Sequence, residues 1–322
     1  MKITRKNSST LAVDIHGMRE REAKFRLEAL IENGSADITR LEIVHGFNSG
    51  TVLQSLVRNG LESSRIKEIR PKDTVSIKSI SAVNIDEITL TAHRGLSAIE
   101  PENTLPAFKA ACEAKYNYVE FDIEPTSDGK WIVMHDDDLR RTTNGHGKIT
   151  ERTLAEVSAL KIDNGANIEN YTDLRVPTFE ETMALLDRYY PNTKPMIEIK
   201  SIGKNNLDSL IEFFKDYAAR GRSTIVISFD KDIIDTLYKE CPEQTYWLLT
   251  SELSDEAVDF CKNHGNMRAA FNGNNAKNTD SVINAAIDAG IPLAAWTVDS
   301  PDTLKNLYDL GVRYFTTNCI TP

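Results

Sequence analysis

This sequence of 322 residues lacks the features of membrane-spanning and secreted proteins. No apolar run approaches the roughly 20 residues that a membrane-spanning helix needs. The apolar patch before Asp14 is only three residues long, which is too short for the core of a signal peptide. The four cysteines show no CxxC spacing, so neither a disulfide framework nor a zinc site is predicted. We therefore expect a cytoplasmic protein with reduced thiols, at Cys112, Cys241, Cys261 and Cys319.

Most of the chain carries more acidic than basic residues. Residues 1–80 hold 14 Lys and Arg against 10 Asp and Glu, which leaves 24 against 38 for the remainder. An acidic surface repels the phosphates of nucleic acids, so the C-terminal part is a poor candidate for binding them. The mildly basic N-terminal part is compatible with a polyanionic partner.

The first 80 residues have the pattern of a small two-layer α/β domain. Short apolar runs alternate with amphipathic stretches, and Asn-Gly pairs follow both predicted helices. The predicted elements are a strand at Leu11–Ile15, a helix at Met18–Ile31, a strand at Leu41–Val44, a helix from Gly50 to Val57, and strands at Ile66–Ile69 and Thr74–Ile80. Residues 81–86 are predicted to be a linker.

From residue 87 to 322, eight apolar runs alternate with helical patterns. The runs are Ile88–Ala92, Tyr118–Ile123, Pro195–Ile199, Thr224–Ser228, Tyr246–Leu249, Met267–Phe271, Pro292–Trp296 and Arg313–Thr316. Helix candidates between them include Leu105–Lys115, Thr178–Tyr189, Leu207–Ala219, Asp280–Ala289 and Thr303–Leu310. Buried parallel strands separated by helices, repeated eight times, predict a (β/α)₈ TIM barrel. The alternative, an open doubly wound sheet, is disfavoured because no GxGxxG turn follows the first strand.

Three carboxylates lie on predicted strands near their C-terminal ends, where barrel active sites form. Glu120 and Asp122 are two residues apart and therefore point to the same side of one strand, and Glu198 lies on the next. Three carboxylates on one rim repel each other unless a cation lies between them, and hard oxygen ligands favour Mg²⁺ or Ca²⁺. The alternative is that they are salt-bridge partners of neighbouring Lys or Arg, but three together are difficult to pair.

Two histidines and two cations accompany these carboxylates. His93 and Arg94 follow the first predicted barrel strand, and Lys200 follows the third. Histidines exchange protons near neutral pH, and Arg and Lys bind phosphate oxygens. With His135, the set favours metal-assisted phosphoryl transfer over acyl or hydride chemistry.

A hairpin is predicted to return His135 to the same rim. Asp128–Gly129 is a typical two-residue turn. With that turn at its centre, Ser127 pairs with Lys130 and Asp122 pairs with His135.

Several motifs in order resemble those of the glycerophosphodiester phosphodiesterase family. The chain contains LTAHRGLSAIEPENTLPAFKAA, VEFDIEPTSDGKWIVMHDDDLRRTTNG, VPTFEETMALL and MIEIK, and it closes with AWTVD and TTN. The resemblance covers most of residues 87–322 and implies a barrel enzyme that splits glycerophosphodiesters into glycerol 3-phosphate and an alcohol. Relatives often have an aspartate at the position of Asn318, which we interpret as a structural residue.

The resemblance implies roles for the residues already singled out. In that family, the positions that match Glu120, Asp122 and Glu198 hold a divalent metal. His93 and His135 match the acid and the base, in an order that the residues leave open. The nucleophile is either water or the 2-hydroxyl of the substrate, in which case a cyclic phosphate forms.

The resemblance also implies a substrate-binding group. Arg94 and Lys200 face the phosphate, and Trp296 packs against the glycerol carbons unless it only fills the barrel interior. Glu102 and Asn103 belong to the PENT motif and organise the first loop. Asp136 is expected to orient His135.

The N-terminal part resembles the small MutS-related (Smr) domain over about residues 10–80. Asp14 to Met18 matches its DxHG motif, and His45 to Gly50 matches its HGxGxG motif except that Asn48 replaces the middle glycine. The resemblance implies nucleic-acid binding through His16, His45, Gly46 and Gly50, with nuclease activity in some members. An equally good interpretation gives both histidines a role in holding turns.

Two alternative functions stay open from the sequence. The barrel could act on a lysophospholipid or another phosphodiester at the same site. The Smr-like part could carry the main function as a nucleic-acid module. A small-molecule glycerophosphodiester is the expected substrate, and the residues do not indicate an oligomeric state.

Overall fold

The computed structural model describes residues 1–33, 38–45, 52–63, 65–70, 74–77, 83–200, 207–265 and 267–322. In these ranges the strands form two sheets, one of five strands and one of nine. No helix within them is both long and apolar enough to cross a bilayer.

The N-terminal sheet has the strand order β1-β2-β3-β5-β4, in which only β2 and β3 are parallel. Its strands are β1 (Lys2–Asn7), β2 (Thr10–Asp14), β3 (Arg40–Val44), β4 (Ile66–Arg70) and β5 (Thr74–Ile77). Helix α1 (Glu20–Asn33) packs on the sheet, and α2 (Val52–Ser55) continues as a π-helical turn at Leu56–Gly60. Fully buried side chains of Val13, Leu27 and Leu41 join the helix to the sheet. The predicted small α/β fold is confirmed.

Strand β1 is absent from the predicted pattern. Its side chains are exposed along its whole length, so it lacks the apolar alternation that marks a half-buried strand. Backbone pairing with β2 holds it in place, with Ile3 opposite Val13. Lysine and arginine on such an edge strand discourage pairing with another chain.

The second sheet closes into a barrel of eight parallel strands, because β6 pairs with both β14 and β7. The barrel strands are β6 (Thr89–Ala92), β7 (Tyr118–Pro125), β9 (Lys194–Ile199), β10 (Ile225–Ser228), β11 (Thr245–Thr250), β12 (Arg268–Asn272), β13 (Leu293–Trp296) and β14 (Tyr314–Thr317). Each of the eight predicted runs overlaps one of them, so the predicted TIM barrel is confirmed. The ninth strand, β8 (Trp131–Val133), lies outside the ring and pairs antiparallel with β7.

Helices follow most of the barrel strands. They are α3 (Leu105–Glu113), α4 (Leu154–Ser158), α5 (Phe179–Leu186), α6 (Asp208–Ala219), α7 (Lys231–Glu240), α8 (Asp255–Asn263), α9 (Asp280–Asp288) and α10 (Pro301–Asp309). Most of their starts are fixed by side-chain caps such as the Thr178 hydroxyl, which accepts a hydrogen bond from Glu181 N at 3.1 Å. Such a cap stabilises a helix by about 1 kcal/mol.

Alternating side chains of the strands separate two cores. In β10, Ile225 and Ile227 point into the barrel interior, where they meet Met196 and Trp247. Val226, between them, points outward into the larger core under the helices. Because both faces are buried, the strands read as continuous apolar runs.

The β7–β8 hairpin is one residue out of register with the prediction. Thr126 N donates to Lys130 O at 2.8 Å, which leaves a loop of three residues, 127–129, instead of two. Gly129 takes the left-handed position of that loop, with φ of +72°. Asp122 therefore lies opposite Met134, whose N donates to Asp122 O at 3.1 Å. The predicted pairing of Asp122 with His135 is wrong by one residue.

The segment predicted as a linker is partly structured. Residues 81 and 82 lie outside the described residues. A 3₁₀ turn at Ile85–Glu87 follows, and the Asn84 side chain accepts from Asp86 N at 3.3 Å. Val83 and Ile85 pack against the core of the barrel.

Candidate active site

Strand geometry brings the three carboxylates together. Glu120 and Asp122 project from the same side of β7, and Asp122 is in register with Glu198 of the neighbouring β9. Oxygen atoms from all three side chains lie within 4.8 Å of one another. All three residues are buried: Glu120 and Asp122 are 1% exposed and Glu198 is 8% exposed.

The electrostatics of this cluster fit a cation. Glu120 Oε2 accepts a hydrogen bond from Arg94 N at 2.8 Å, but among the described residues its buried Oε1 has no donor. Burial and repulsion by Asp122 and Glu198 raise the pKa of Glu120 well above its ordinary value. Burial and Asp122 likewise raise the pKa of Glu198 to about 7. A bound divalent ion would supply the missing partner and let both side chains ionise.

Two cations border the cluster. Lys200 Nζ lies 2.7 Å from Asp122 Oδ1 and also contacts Glu198, while Arg94 Nε lies 3.6 Å from Asp122 Oδ2. Although burial favours the neutral carboxyl, Lys200 and Arg94 lower the pKa of Asp122. Burial opposes the charge on Lys200, but Asp122 and Glu198 raise its pKa overall. Both cations therefore stay charged beside the carboxylates.

The loop after β6 has an unusual backbone that positions these groups. Arg94 and Asn103 both adopt left-handed conformations, with φ of 56° and 54°. Asn103 N donates to Arg94 O at 3.0 Å, and its side-chain Nδ2 donates to Asp122 Oδ2 at 2.7 Å. At Gly95, a Cβ would lie 2.7 Å from the backbone of Ala107, so only glycine fits. The prediction grouped Asn103 with the substrate, whereas the structure places it behind Asp122.

Glu102 connects the two loops that carry the histidines. Arg94 donates to Glu102 Oε1 at 2.8 Å, and Arg141 donates to both Glu102 oxygens at 2.8 Å. Arg141 also holds Asp136, whose Oδ1 lies 2.7 Å from His135 Nδ1. Hydrogen bonds from Arg141 and His135 lower the pKa of Asp136 to about 2, against the effect of burial. Glu102 thus lies beside the site as a shared ion-pair partner.

His93 has a different environment from His135. Its Nδ1 lies 2.8 Å from the amide oxygen of Asn318. Burial and the nearby charge of Arg94 lower the pKa of His93 to about 4. The imidazole is therefore neutral at physiological pH, which suits a proton acceptor.

A cavity of about 250 Å³ opens above these groups. One wall is polar and comprises His93, Arg94, Glu120, His135, Glu198 and Lys200. The apolar lining residues include Trp296 and Phe229, whose rings meet edge to face at 5.6 Å. Trp296 Nε1 donates to Ala270 O at 2.8 Å, which fixes the orientation of the indole that lines the cavity. Phe229 is 50% exposed at the rim.

Sequence reasoning missed three residues around this cavity. Arg141 lies within the quoted DDDLRRTTNG segment, and Asp299 ends the quoted AWTVD segment, so both were within motifs that gave them no role. Phe229 directly follows β10, and its place at a strand end was the only available signal.

The residues predicted to bind nucleic acid follow the ends of neighbouring parallel strands. Asp14 of β2 is in register with Val44 of β3, so His16 and His45 leave the same edge of the sheet. His16 Nδ1 contacts Asp14 Oδ1, and both side chains are largely exposed. Gly46 and Gly50 lie outside the described residues.

A comparison with protein families decides which one this barrel represents. The model of the glycerophosphoryl diester phosphodiesterase family matches residues 93–321. The chain belongs to that family. The predicted family and the predicted class of enzyme are confirmed.

Members of the family from several bacteria are similar to this chain. A glycerophosphodiester phosphodiesterase of Bacillus subtilis is 31% identical over 72% of this chain and 84% of its own length. One from Caldanaerobacter subterraneus is 29% identical over 68% of this chain and 97% of its own length. An Oleispira antarctica phosphodiesterase, solved with the product sn-glycerol-3-phosphate, shares the fold with a TM-score of 0.65 at 23% identity, covering 71% of this chain and 92% of its own.

The N-terminal part matches a second family model. The Smr domain model covers residues 13–74, which confirms the predicted resemblance there.

One carboxylate beside the family's acidic cluster provides a test of stability. Glu124, two residues beyond Asp122 on β7, is 6% exposed, and burial raises its pKa from 4.5 to about 7 although Lys200 opposes the rise. The folded state therefore retains a proton that the unfolded state releases, and stability falls as pH rises from about 4.5 to about 7. We expect Glu124→Gln to raise the free energy of unfolding above that range by about 3 kcal/mol.

Urea unfolding followed by tryptophan fluorescence measures this effect, since all three tryptophans lie in the barrel. The gain should vanish at acidic pH, where the Glu124 carboxyl is protonated in both states. An equal gain at both pH values would show that packing rather than charge is responsible.

Proposed function

We propose that the barrel hydrolyses glycerophosphodiesters to glycerol 3-phosphate and an alcohol with the help of a divalent metal. The observation that carries the proposal is the buried trio of Glu120, Asp122 and Glu198, with an oxygen that lacks a donor among the described residues. Two cations and two histidines line the same cavity. The names of the relatives, which are glycerophosphodiester phosphodiesterases, support the substrate class.

The three carboxylates would hold Mg²⁺ or Ca²⁺, since both prefer oxygen ligands. When bound, the ion polarises a phosphoryl oxygen and neutralises charge that develops in the transition state. The cluster fits such an ion because Glu120 and Glu198 are otherwise held at raised pKa values in a buried position.

The chain's own groups then bind the substrate and move protons. Arg94 and Lys200 face the cavity and are placed to bind the remaining phosphate oxygens. One histidine takes the proton of the attacking hydroxyl as the new P–O bond forms. The other gives a proton to the leaving oxygen as the old P–O bond breaks. The attacking hydroxyl belongs either to water or to the substrate's own glycerol.

The apolar wall suits the carbon skeleton of the substrate. Trp296 and Phe229 line the same cavity as the charged groups, and their rings contact each other. A glycerol moiety has a side of C–H groups that packs against aromatic rings while its hydroxyls turn to the polar wall. The same wall would accommodate a longer acyl chain, which makes lysophospholipids the natural second substrates to assay.

The test is release of glycerol 3-phosphate from glycerophosphocholine and glycerophosphoethanolamine, in the presence of Mg²⁺, Ca²⁺ or EDTA. We expect release that needs a divalent ion. A cyclic product would identify the glycerol hydroxyl as nucleophile. Release that is unaffected by EDTA would contradict the metal assignment, and turnover of lysophospholipids alone would change the substrate class.

We propose nucleic-acid binding as a second function, located in the N-terminal part. His16, Arg19 and Arg21 are exposed around the start of α1, and the Smr domain model covers them. Cationic side chains on such a surface attract a phosphate backbone. Fluorescence anisotropy of the full chain with labelled single-stranded RNA and duplex DNA should give binding that weakens with salt and with Arg21→Glu. Binding that is insensitive to that variant would contradict this location.

A further inference from the structure

A neutral amide with a carboxylate behind it supports His93. Asn318 Oδ1 lies 2.8 Å from His93 Nδ1, and Asn318 Nδ2 donates to Asp299 Oδ2 at 2.7 Å. Asp299 is itself fixed, because its Oδ1 accepts from Asn318 N at 2.7 Å and from the Thr317 hydroxyl at 3.0 Å. The three side chains form a continuous line from the loop after β13 to the cavity.

Chemistry fixes the direction of every hydrogen bond in this line. A carboxylate only accepts, so the NH₂ end of the Asn318 amide must face Asp299. The oxygen end of the amide then faces His93, and an amide oxygen also only accepts. The hydrogen between them must therefore be carried by His93 Nδ1, which leaves Nε2 with a lone pair.

We propose that Asp299 and Asn318 are positioning residues that hold His93 in the Nδ1–H tautomer and thereby make it the general base. This inference rests on the proposed function. Nε2 of His93 takes the proton of the attacking hydroxyl while the oxygen bonds to phosphorus. The leaving oxygen takes its electron pair from the broken P–O bond and receives a proton from His135.

His135 is supported in a way that suits the acid. Its Nδ1 lies 2.7 Å from Asp136 Oδ1, so a carboxylate rather than an amide accepts the hydrogen bond of this ring. Arg141 holds Asp136 in place through two hydrogen bonds. The two histidines thus differ in the group behind them, an amide in one case and a carboxylate in the other.

A purely structural role for the line is the alternative. Asp299 also joins the end of β14 to the preceding loop, through Asn318 N and Thr317. If that were its only role, removing its charge would change stability and leave the tautomer of His93 unaltered.

The experiment measures the tautomer and the kinetics of the same variants. Nitrogen-15 NMR of the histidine rings in the full chain, at mildly alkaline pH, distinguishes a protonated Nδ1 from a protonated Nε2, and His93→Asn assigns the signal. The test variant is Asp299→Asn, whose amide no longer dictates the orientation of Asn318. Asp302→Asn is the matched control, because it makes the same change at an exposed position of α10.

We expect a protonated Nδ1 in the unmodified protein and a changed or mixed tautomer in Asp299→Asn. Its kcat should fall about 10-fold to 100-fold, less than the roughly 10²-fold to 10⁴-fold contribution of a general base because His93 itself remains, while KM changes by less than about twofold. Asp302→Asn should alter neither quantity. A protonated Nε2 in the unmodified protein, or an unchanged kcat in folded Asp299→Asn, would overturn the proposal.

A second variant covers the case in which Asp299→Asn does not fold. Asn318→Ala removes the hydrogen-bond acceptor of His93 Nδ1 at a partly exposed position. The tautomer of His93 should then change, and kcat should fall, as in Asp299→Asn. An unchanged tautomer in Asn318→Ala would again overturn the proposal. Because the NMR signal needs no substrate, it decides the tautomer even if the unmodified protein fails to release glycerol 3-phosphate.

Discussion

Replacing Glu120 by glutamine is expected to lower kcat/KM at least about 10³-fold and to weaken divalent-metal binding severely, since the ion supplies several kcal/mol of transition-state stabilisation. The amide is the same size and can still accept the 2.8 Å hydrogen bond from Arg94 N. It removes one of the three charges of the cluster and places an NH₂ group near the others. The loss of activity and of metal binding would therefore be caused by the missing negative charge and not by a change in side-chain shape.

Glu124→Gln is the matched control for this variant. It makes the same substitution four residues along the same strand, at a carboxyl outside the cluster of three. Isothermal titration with Mg²⁺ and Ca²⁺, beside the glycerol 3-phosphate assay, should show near-normal binding and turnover in Glu124→Gln only. Full metal-dependent activity in Glu120→Gln would refute the assignment of Glu120 as a ligand.

Replacing either histidine by asparagine is expected to lower kcat about 10²-fold to 10⁴-fold, the usual contribution of a general acid or base. His93 and His135 line the cavity but do not belong to the carboxylate cluster. Metal affinity should therefore stay close to that of the unmodified protein, in contrast to Glu120→Gln. The same pair of measurements, titration and turnover, separates the two kinds of variant.

His264→Asn is the control for the histidine variants. His264 lies after α8 and pairs with Asp235, remote in sequence from the site and outside the residues that line the cavity. Its replacement should leave turnover unchanged. If His93→Asn and His135→Asn retained full kcat, the protons would have to move through other groups, and the proposed chemistry would be wrong.

Local patterns in the sequence were sufficient to predict the barrel. Eight apolar runs separated by helical patterns identify buried parallel strands, and each strand of the ring overlaps one of them. The same reasoning identified the carboxylates. Glu120 and Asp122 are two residues apart and so project from the same side of one strand, and neighbouring parallel strands end at the same rim of the barrel. These inferences need only the period of a strand and the rule for where barrel sites lie.

Features that depend on distant contacts could not be predicted in this way. Asn318 and His93 are 225 residues apart, and the role of the amide becomes visible only when Asp299 is seen behind it. Strand β1 has no apolar face to reveal it, since its exposed side chains leave mainly backbone pairing with β2 to hold it. The hairpin register depended on a choice between two common loops, and the dipeptide Asp128–Gly129 occurs in both.

The three-residue loop of that hairpin makes chain length a determinant of the active site. Side chains alternate between the faces of a strand, so if a three-residue loop re-formed after a single deletion within 127–129, β8 would shift by one position and its side chains would turn over. Met134 or Asp136 would then occupy the place of His135. Ser127 is exposed, so its identity is free to drift over evolutionary time. Insertions and deletions that shift the register are expected to be selected against. The hairpin should therefore tolerate substitutions in its loop but not such changes in its length.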